Sequence, residues 1–185
     1  MDAEAYRNSL VERDSVAILL GLYDIGKKTS LSEIGGNVSN YYSLRKRVAQ
    51  FEEEGLVQIS LETEPRKTVF VSLTTKGRKV GALLDSMRKE LPPGDFANSP
   101  MCMKYAVPVV VMLYRLGPLR YSDFLEVFKS YVPLVKKLFP ALEEEGIIRQ
   151  WVKEDGRRTN MVGLDDIGRA IGPMLDEVFK IIRKK

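Results

Sequence analysis

The chain has 185 residues, 44% hydrophobic and 29% charged, with a net charge of +4 at pH 7. That is enough apolar matter for one or two packed domains, and no run approaches the ~20 apolar residues that a membrane span needs. Histidine is absent and cysteine occurs once, at Cys102, which excludes an internal disulfide, zinc-finger ligand sets and histidine-dependent nucleophile pairs.

Nothing arranges carboxylates for metal or acid–base chemistry, so no metal, no cofactor and no enzymatic activity is expected. The start, Met1-Asp2-Ala3-Glu4-Ala5-Tyr6, lacks the basic opening and apolar run of a signal peptide, so a cytoplasmic location is expected. Residues 1–90 carry 14 Lys/Arg against 13 Asp/Glu, and residues 91–185 carry 15 against 12. Charge this weak does not indicate nucleic acid by its total; its placement decides.

Ser15 or Asp14 can cap a first helix with Val16, Ile18, Leu19, Leu22 and Tyr23 inward, ended by Gly26. Ser30 and Glu33 stand at capping-box spacing for a short second helix, and Gly35-Gly36-Asn37 forms the turn after it. The spacing of Leu44, Val48 and Phe51 predicts a third helix from about Ser39 to Glu54. Leu56–Leu61 and Thr68–Leu73 read as a hairpin around Glu62-Thr63-Glu64-Pro65-Arg66-Lys67. Thr74 or Thr75 caps a long helix to about Glu90, with Val80, Leu83, Leu84 and Met87 on one side. From Leu91 to Pro100, proline and glycine predict a linker without helix or strand.

The same order then returns. Pro108 fits the first turn of a helix through Val109, Val110, Leu113 and Tyr114, and Gly117–Phe124 turns into the next. A third helix is expected over about Pro133 to Glu145, with Val135, Phe139 and Leu142 inward and a kink forced by Pro140. Ile147–Lys153 and Arg158–Leu164 flank Asp155-Gly156, a strong hairpin signal. Asp165 caps a closing helix to about Lys184, bent at Pro173, with a frayed, solvated basic tail. At one displacement of 91 residues, Phe51-Glu52-Glu53-Glu54-Gly55-Leu56-Val57 matches Leu142-Glu143-Glu144-Glu145-Gly146-Ile147-Ile148. Arg66-Lys67-Thr68 likewise matches Arg157-Arg158-Thr159, and Gly77-Arg78 matches Gly168-Arg169.

Gly117-Pro118-Leu119-Arg120-Tyr121-Ser122, Leu142-Glu143-Glu144-Glu145-Gly146-Ile147 and Leu164 with Gly168-Arg169 together resemble the HxlR-type branch of winged-helix transcription regulators. Phe51–Val57 and Leu73-Thr74-Thr75-Lys76-Gly77-Arg78 are similar to MarR- and PadR-like regulators. The resemblance implies an α+β, mainly α fold of two tandem winged helix-turn-helix domains. Each is a three-helix core with a two-stranded β-hairpin wing followed by a long C-terminal helix. Residues 1–92 would form the first domain, 93–100 the linker and 101–185 the second. Such regulators usually carry one winged helix per chain and dimerise, whereas this chain resembles a covalent pseudo-dimer.

The resemblance implies double-stranded DNA binding in transcription regulation, with the third helix in the major groove and the wing on the backbone or minor groove. Candidate contacts on the first third helix are Asn40, Tyr41, Tyr42, Ser43, Arg45, Lys46 and Arg47. Cations gather in its first turns and Glu52-Glu53-Glu54 in its last, against the macrodipole, and this segregation favours DNA contact over a merely solvated face. Arg66, Lys67, Arg157 and Arg158 at the wing tips suit phosphates, and Tyr131, Lys136 and Lys137 make the second third helix the weaker reader beside apolar Val132, Pro133 and Leu134. Cys102, near where HxlR-like proteins carry a cysteine, reads as a small hydrophobe before a redox sensor. The stripes Val80-Leu83-Leu84-Met87 and Ile171-Met174-Leu175-Val178-Ile182 can pair with each other or form a homodimer with a second chain. No membrane partner is expected. The alternatives are a protein-binding winged-helix scaffold, as in chromosome segregation, and a plasmid-type replication initiator, which also uses two winged helices.

Overall fold

A computed structural model describes residues 3–34, 40–63 and 68–184, with the side chains of all but Ala3, Asp155 and Arg157. The predicted turn Gly35-Gly36-Asn37 and the wing-tip residues Arg66 and Lys67 lie outside the described residues.

The first unit consists of α1 (Ser15–Ile25), β1 (Thr29–Ser30), α2 (Leu31–Ile34), α3 (Tyr41–Glu53), β2 (Val57–Glu62), β3 (Thr68–Leu73) and α4 (Thr75–Glu90). The local chemistry that sets these boundaries is visible. Gly26 ends α1 at φ +67°, a left-handed cap. The capping box forms: Ser30 N–H donates to Glu33 at 3.0 Å and Glu33 N–H to Ser30 Oγ at 3.3 Å. Thr74 caps α4 by accepting from Gly77 N–H at 3.0 Å. Asp14 occupies the cap position of α1 but makes no capping bond, and Ser15 Oγ instead donates to the Ser9 carbonyl at 2.7 Å.

The second unit repeats this order. It consists of α5 (Ala106–Leu116), β4 (Leu119–Arg120), α6 (Tyr121–Phe128), a π-helical segment Val132–Leu138 running into α7 (Phe139–Glu144), β5 (Ile148–Asp155), β6 (Arg157–Leu164) and α8 (Asp166–Arg183). Each sheet has three strands, in the orders β1-β3-β2 and β4-β6-β5, all antiparallel. The hairpins match the expectation; the short third strand of each sheet is an addition, since two residues give no periodicity to read. The proline-rich stretch also holds more structure than predicted, with 3₁₀ turns at Phe96–Asn98 and Pro100–Cys102.

The expected kink at Pro140 takes a definite form. Proline has no N–H and its ring clashes with the carbonyl four residues back. The preceding turn widens so that Phe139 N–H bonds to the Leu134 carbonyl, five residues back. This shifts the helix face: Leu134 and Leu138 are fully buried while Val135 is only half-buried. Leu134, which the spacing does not place inward, belongs to the core, and Val135, expected inward, packs against that core only partly buried.

The units share one continuous core. Residues 106–113 of α5 are all buried, as expected for a helix that is apolar on every side. The stripes of α4 and α8 pack against each other within the chain, with Val80, Leu84 and Met87 facing Ile171, Leu175 and Val178 as buried residues. The pair runs antiparallel, because Lys76 at the start of α4 donates to the carbonyls of Ile182 (3.0 Å) and Lys184 (2.8 Å) at the end of α8. The basic tail is therefore docked, not frayed as expected, and α8 continues through Pro173.

A reciprocal pair of backbone bonds closes the arrangement. Asp14 N–H donates to the Cys102 carbonyl at 2.8 Å, and Tyr105 N–H to the Val11 carbonyl at 2.7 Å. Both donors have positive φ, +64° and +71°, although neither is glycine. Such a conformation costs about 1–2 kcal/mol and persists where surrounding contacts determine it. Asp14 and Tyr105 are 91 residues apart, as are Val11 and Cys102, so the contact has the symmetry of the repeat.

Candidate nucleic-acid interface

The α3 helix owes its orientation to Leu44, Val48 and Phe51, each at most 1% exposed. With that face fixed, Asn40, Tyr41, Tyr42, Ser43, Arg45 and Lys46 fall on the solvent side. Asn40 is the N-cap, its Oδ1 accepting from Tyr42 N–H at 2.9 Å, so its carbonyl is already engaged. Arg47 is turned inward, donating to Gln50 at 2.8 Å and to Glu12 at 3.2 Å.

On the π-helical segment, Lys136 and Lys137 are exposed, as is Tyr131. These two lysines stand 91 residues after Arg45 and Lys46. Two adjacent cations thus stand at the same sequence position of both third helices, on an α-helix in the first unit and on a π-helical turn in the second, and none of the four makes an ion pair with another described residue.

The glutamate runs have a structural cause in tertiary contacts. Glu52 accepts from the Ile59 N–H at 3.1 Å, and its equivalent Glu143 accepts from the Gln150 N–H at 2.7 Å. Each ties its helix to the first wing strand. Glu54 accepts from the Ser9 N–H at 2.8 Å and from the Ser9 hydroxyl, and its equivalent Glu145 accepts from Ser99 Oγ at 3.4 Å. Burial pushes the Glu54 carboxyl up, with the Ser9 bonds opposing. Segregation of acidic residues to the helix end therefore follows from tethering the helix and is no argument for DNA. The exposed cations keep their weight.

In the second wing, Asp155 pairs with Arg157 across Gly156, whose φ is +68°. Arg158 lies beside Glu154, Nε to Oε1 3.8 Å, both largely exposed, a pair of small energetic consequence. The Arg157 side chain lies outside the described part, like Arg66 and Lys67. Arg149 is an exposed wing cation that attention to the hairpin tip passes over; its guanidinium sits 5.3 Å from the centre of the Trp151 ring. Trp151 in turn lies over Gly163, where a Cβ would meet the ring at 3.0 Å.

Cys102 is 4% exposed, its Sγ donates to the Phe96 carbonyl at 3.2 Å, and burial pushes the thiol up to about 12. It packs as a small hydrophobe.

These units define a tandem repeat of winged-helix type, two copies in one chain, mostly helical with a β-hairpin in each. Scanned against protein-family models the chain matches none, and a search of curated proteins returns no significant match. Among the described residues no helix is long and apolar enough to cross a membrane.

Proposed function

We propose that this chain binds double-stranded DNA and regulates transcription, acting by binding and not by catalysis. The observation that carries the reading is the exposed cation pair at the same sequence position of both third helices, Arg45-Lys46 and Lys136-Lys137. Four cations without a described acidic partner, placed on the element that this fold lays in the major groove, suit a polyanion. Arg45 supplies a bidentate donor for guanine, and Tyr41, Tyr42, Ser43 and Lys46 suit phosphates and sugar. Arg149 and Arg158 of the second wing, together with Arg66, Lys67 and Arg157, add backbone contacts.

Retardation of duplex DNA across a salt series tests the reading. Affinity is expected to fall steeply with salt, and changing Lys136 and Lys137 to Ala lowers the log–log slope by about 2. R45A/K46A is expected to reduce sequence preference, and R149A/R158A to weaken all sequences alike. Absence of any retained duplex at low salt, with a stoichiometric protein partner recovered instead, overturns the proposal in favour of a winged-helix scaffold. Strict dependence on iterated sites would favour a replication initiator.

A further inference from the structure

The two third helices differ at their leading turns. Unit 1 presents Asn40-Tyr41-Tyr42-Ser43 followed by Arg45, whereas unit 2 presents Tyr131-Val132-Pro133 and offers no Asn, Gln, Arg, Ser or carboxylate from 131 to 138. Tyr131 is 49% exposed and Val132 55%, with Pro133 exposed beside them. The π-segment sets this up by turning Leu134 and Leu138 into the core, which leaves the first turn outward. An apolar patch bordered by Lys136 and Lys137 calls for an apolar surface embedded in negative charge. The major groove displays one such group, the thymine C5-methyl, between the phosphates of the two strands.

Resting on the DNA-binding reading above, we propose that the second unit reads thymine methyls through Val132 and Tyr131, with Lys136 and Lys137 gripping the flanking phosphates. The chain's DNA site is then asymmetric: a guanine-containing half read by Arg45 and a thymine-rich half read by the second unit. The packing of α4 on α8 and the reciprocal Asp14–Cys102 and Tyr105–Val11 bonds hold the two helices in one relation, so the halves keep one order and one spacing.

Selection of bound sites from random duplexes, using the full chain, is expected to yield this non-palindromic pattern. On a selected site, replacing thymine by uracil in the thymine-rich half removes the methyl alone and is expected to weaken binding about fourfold per contacted methyl. In V132A the uracil penalty is expected to shrink, and in Y131A/V132A to disappear, while salt dependence stays unchanged, because both residues are exposed and their loss leaves fold and phosphate contacts intact. A palindromic site, or uracil tolerated by the wild type, overturns the inference while leaving DNA binding standing. Equal affinity of wild type, V132A and Y131A for every duplex also overturns it and assigns the patch to a protein partner. If no duplex is bound at all, the DNA-binding reading fails and the inference falls with it.

Discussion

The glycine shared by both copies at the start of the long helix gives the sharpest stability test. A Cβ on Gly77 would overlap the Leu56 carbonyl oxygen outright and lie 2.9 Å from its carbon; on Gly168 it would do the same at Ile147, 3.1 Å from the carbon. Neither carbonyl can yield. Thr74 donates its N–H (3.0 Å) and its hydroxyl (3.2 Å) to the Leu56 oxygen, and Asp165 N–H donates to Ile147 at 3.0 Å. In G77A the helix must therefore back away from the strand, disturbing Val80, Leu84 and Met87, none of which is exposed. Exchanging Gly for Ala inside a helix normally gains about 1 kcal/mol. Overpacking costs about 1–3 kcal/mol, at the upper end against rigid backbone, so the net loss is expected to be about 2 kcal/mol. In a chain of this size that lowers the melting temperature by roughly 4–8 °C. Gly21, inside α1 with nothing within 4 Å of a built Cβ, is the control, and G21A is expected to raise stability by about 0.5–1 kcal/mol. Circular-dichroism melts and urea titrations of G21A, G77A and G168A measure all three. A G77A protein as stable as wild type would refute the reasoning, since only a structure in which the helix is not pinned to Leu56 accommodates that methyl.

Three further outcomes are expected. Burial pushes the Asp176 carboxyl up, but bonds from Lys180 (2.9 Å) and Arg115 (2.5 Å) together overcome it and hold the group below the ordinary carboxylate value. Its stabilisation is therefore present above that value and lost as pH falls through the lowered one. D176N should cost about 1.5–3 kcal/mol at neutral pH, with the gap to wild type closing in acid; a gap constant to pH 2 would contradict this. Cys102 should resist a thiol-specific chromogenic disulfide at pH 8 until the protein is unfolded, and rapid labelling of the native chain would show that the thiol is not buried. In K76M the carbonyls of Glu54, Ile182 and Lys184 lose their shared donor, so amide exchange should accelerate at the end of α8 and stay slow in α5. Unchanged protection at the end of α8 would show that the Lys76 contact holds nothing in place.

Much of the fold was legible because its signals are local. Ser30 and Glu33, Gly26 and the Asp155-Gly156 turn each act within four residues, so spacing points to them, and it narrows the cap of α4 to Thr74 or Thr75, of which Thr74 makes the bond. The apolar period of Leu44, Val48 and Phe51 determined which face of α3 turns outward, and with it the exposure of Arg45 and Lys46. The 91-residue displacement disclosed the duplication. The acidic runs were the misleading signal: Glu52 and Glu54 look like a charge pattern until Ile59 and Ser9 are found beside them.

Composition, periodicity and repetition by themselves determined two helix-rich modules, each with a hairpin, and a cationic outer face on the third helix. Tertiary structure alone decided that the stripe of α4 is covered by α8 of the same chain, because an apolar stripe specifies burial without naming its partner. It also decided how the helix absorbs Pro140. Sequence forbids the bond four residues back, but only the packing of Leu134 and Leu138 selects the widened turn that leaves Tyr131 and Val132 outward.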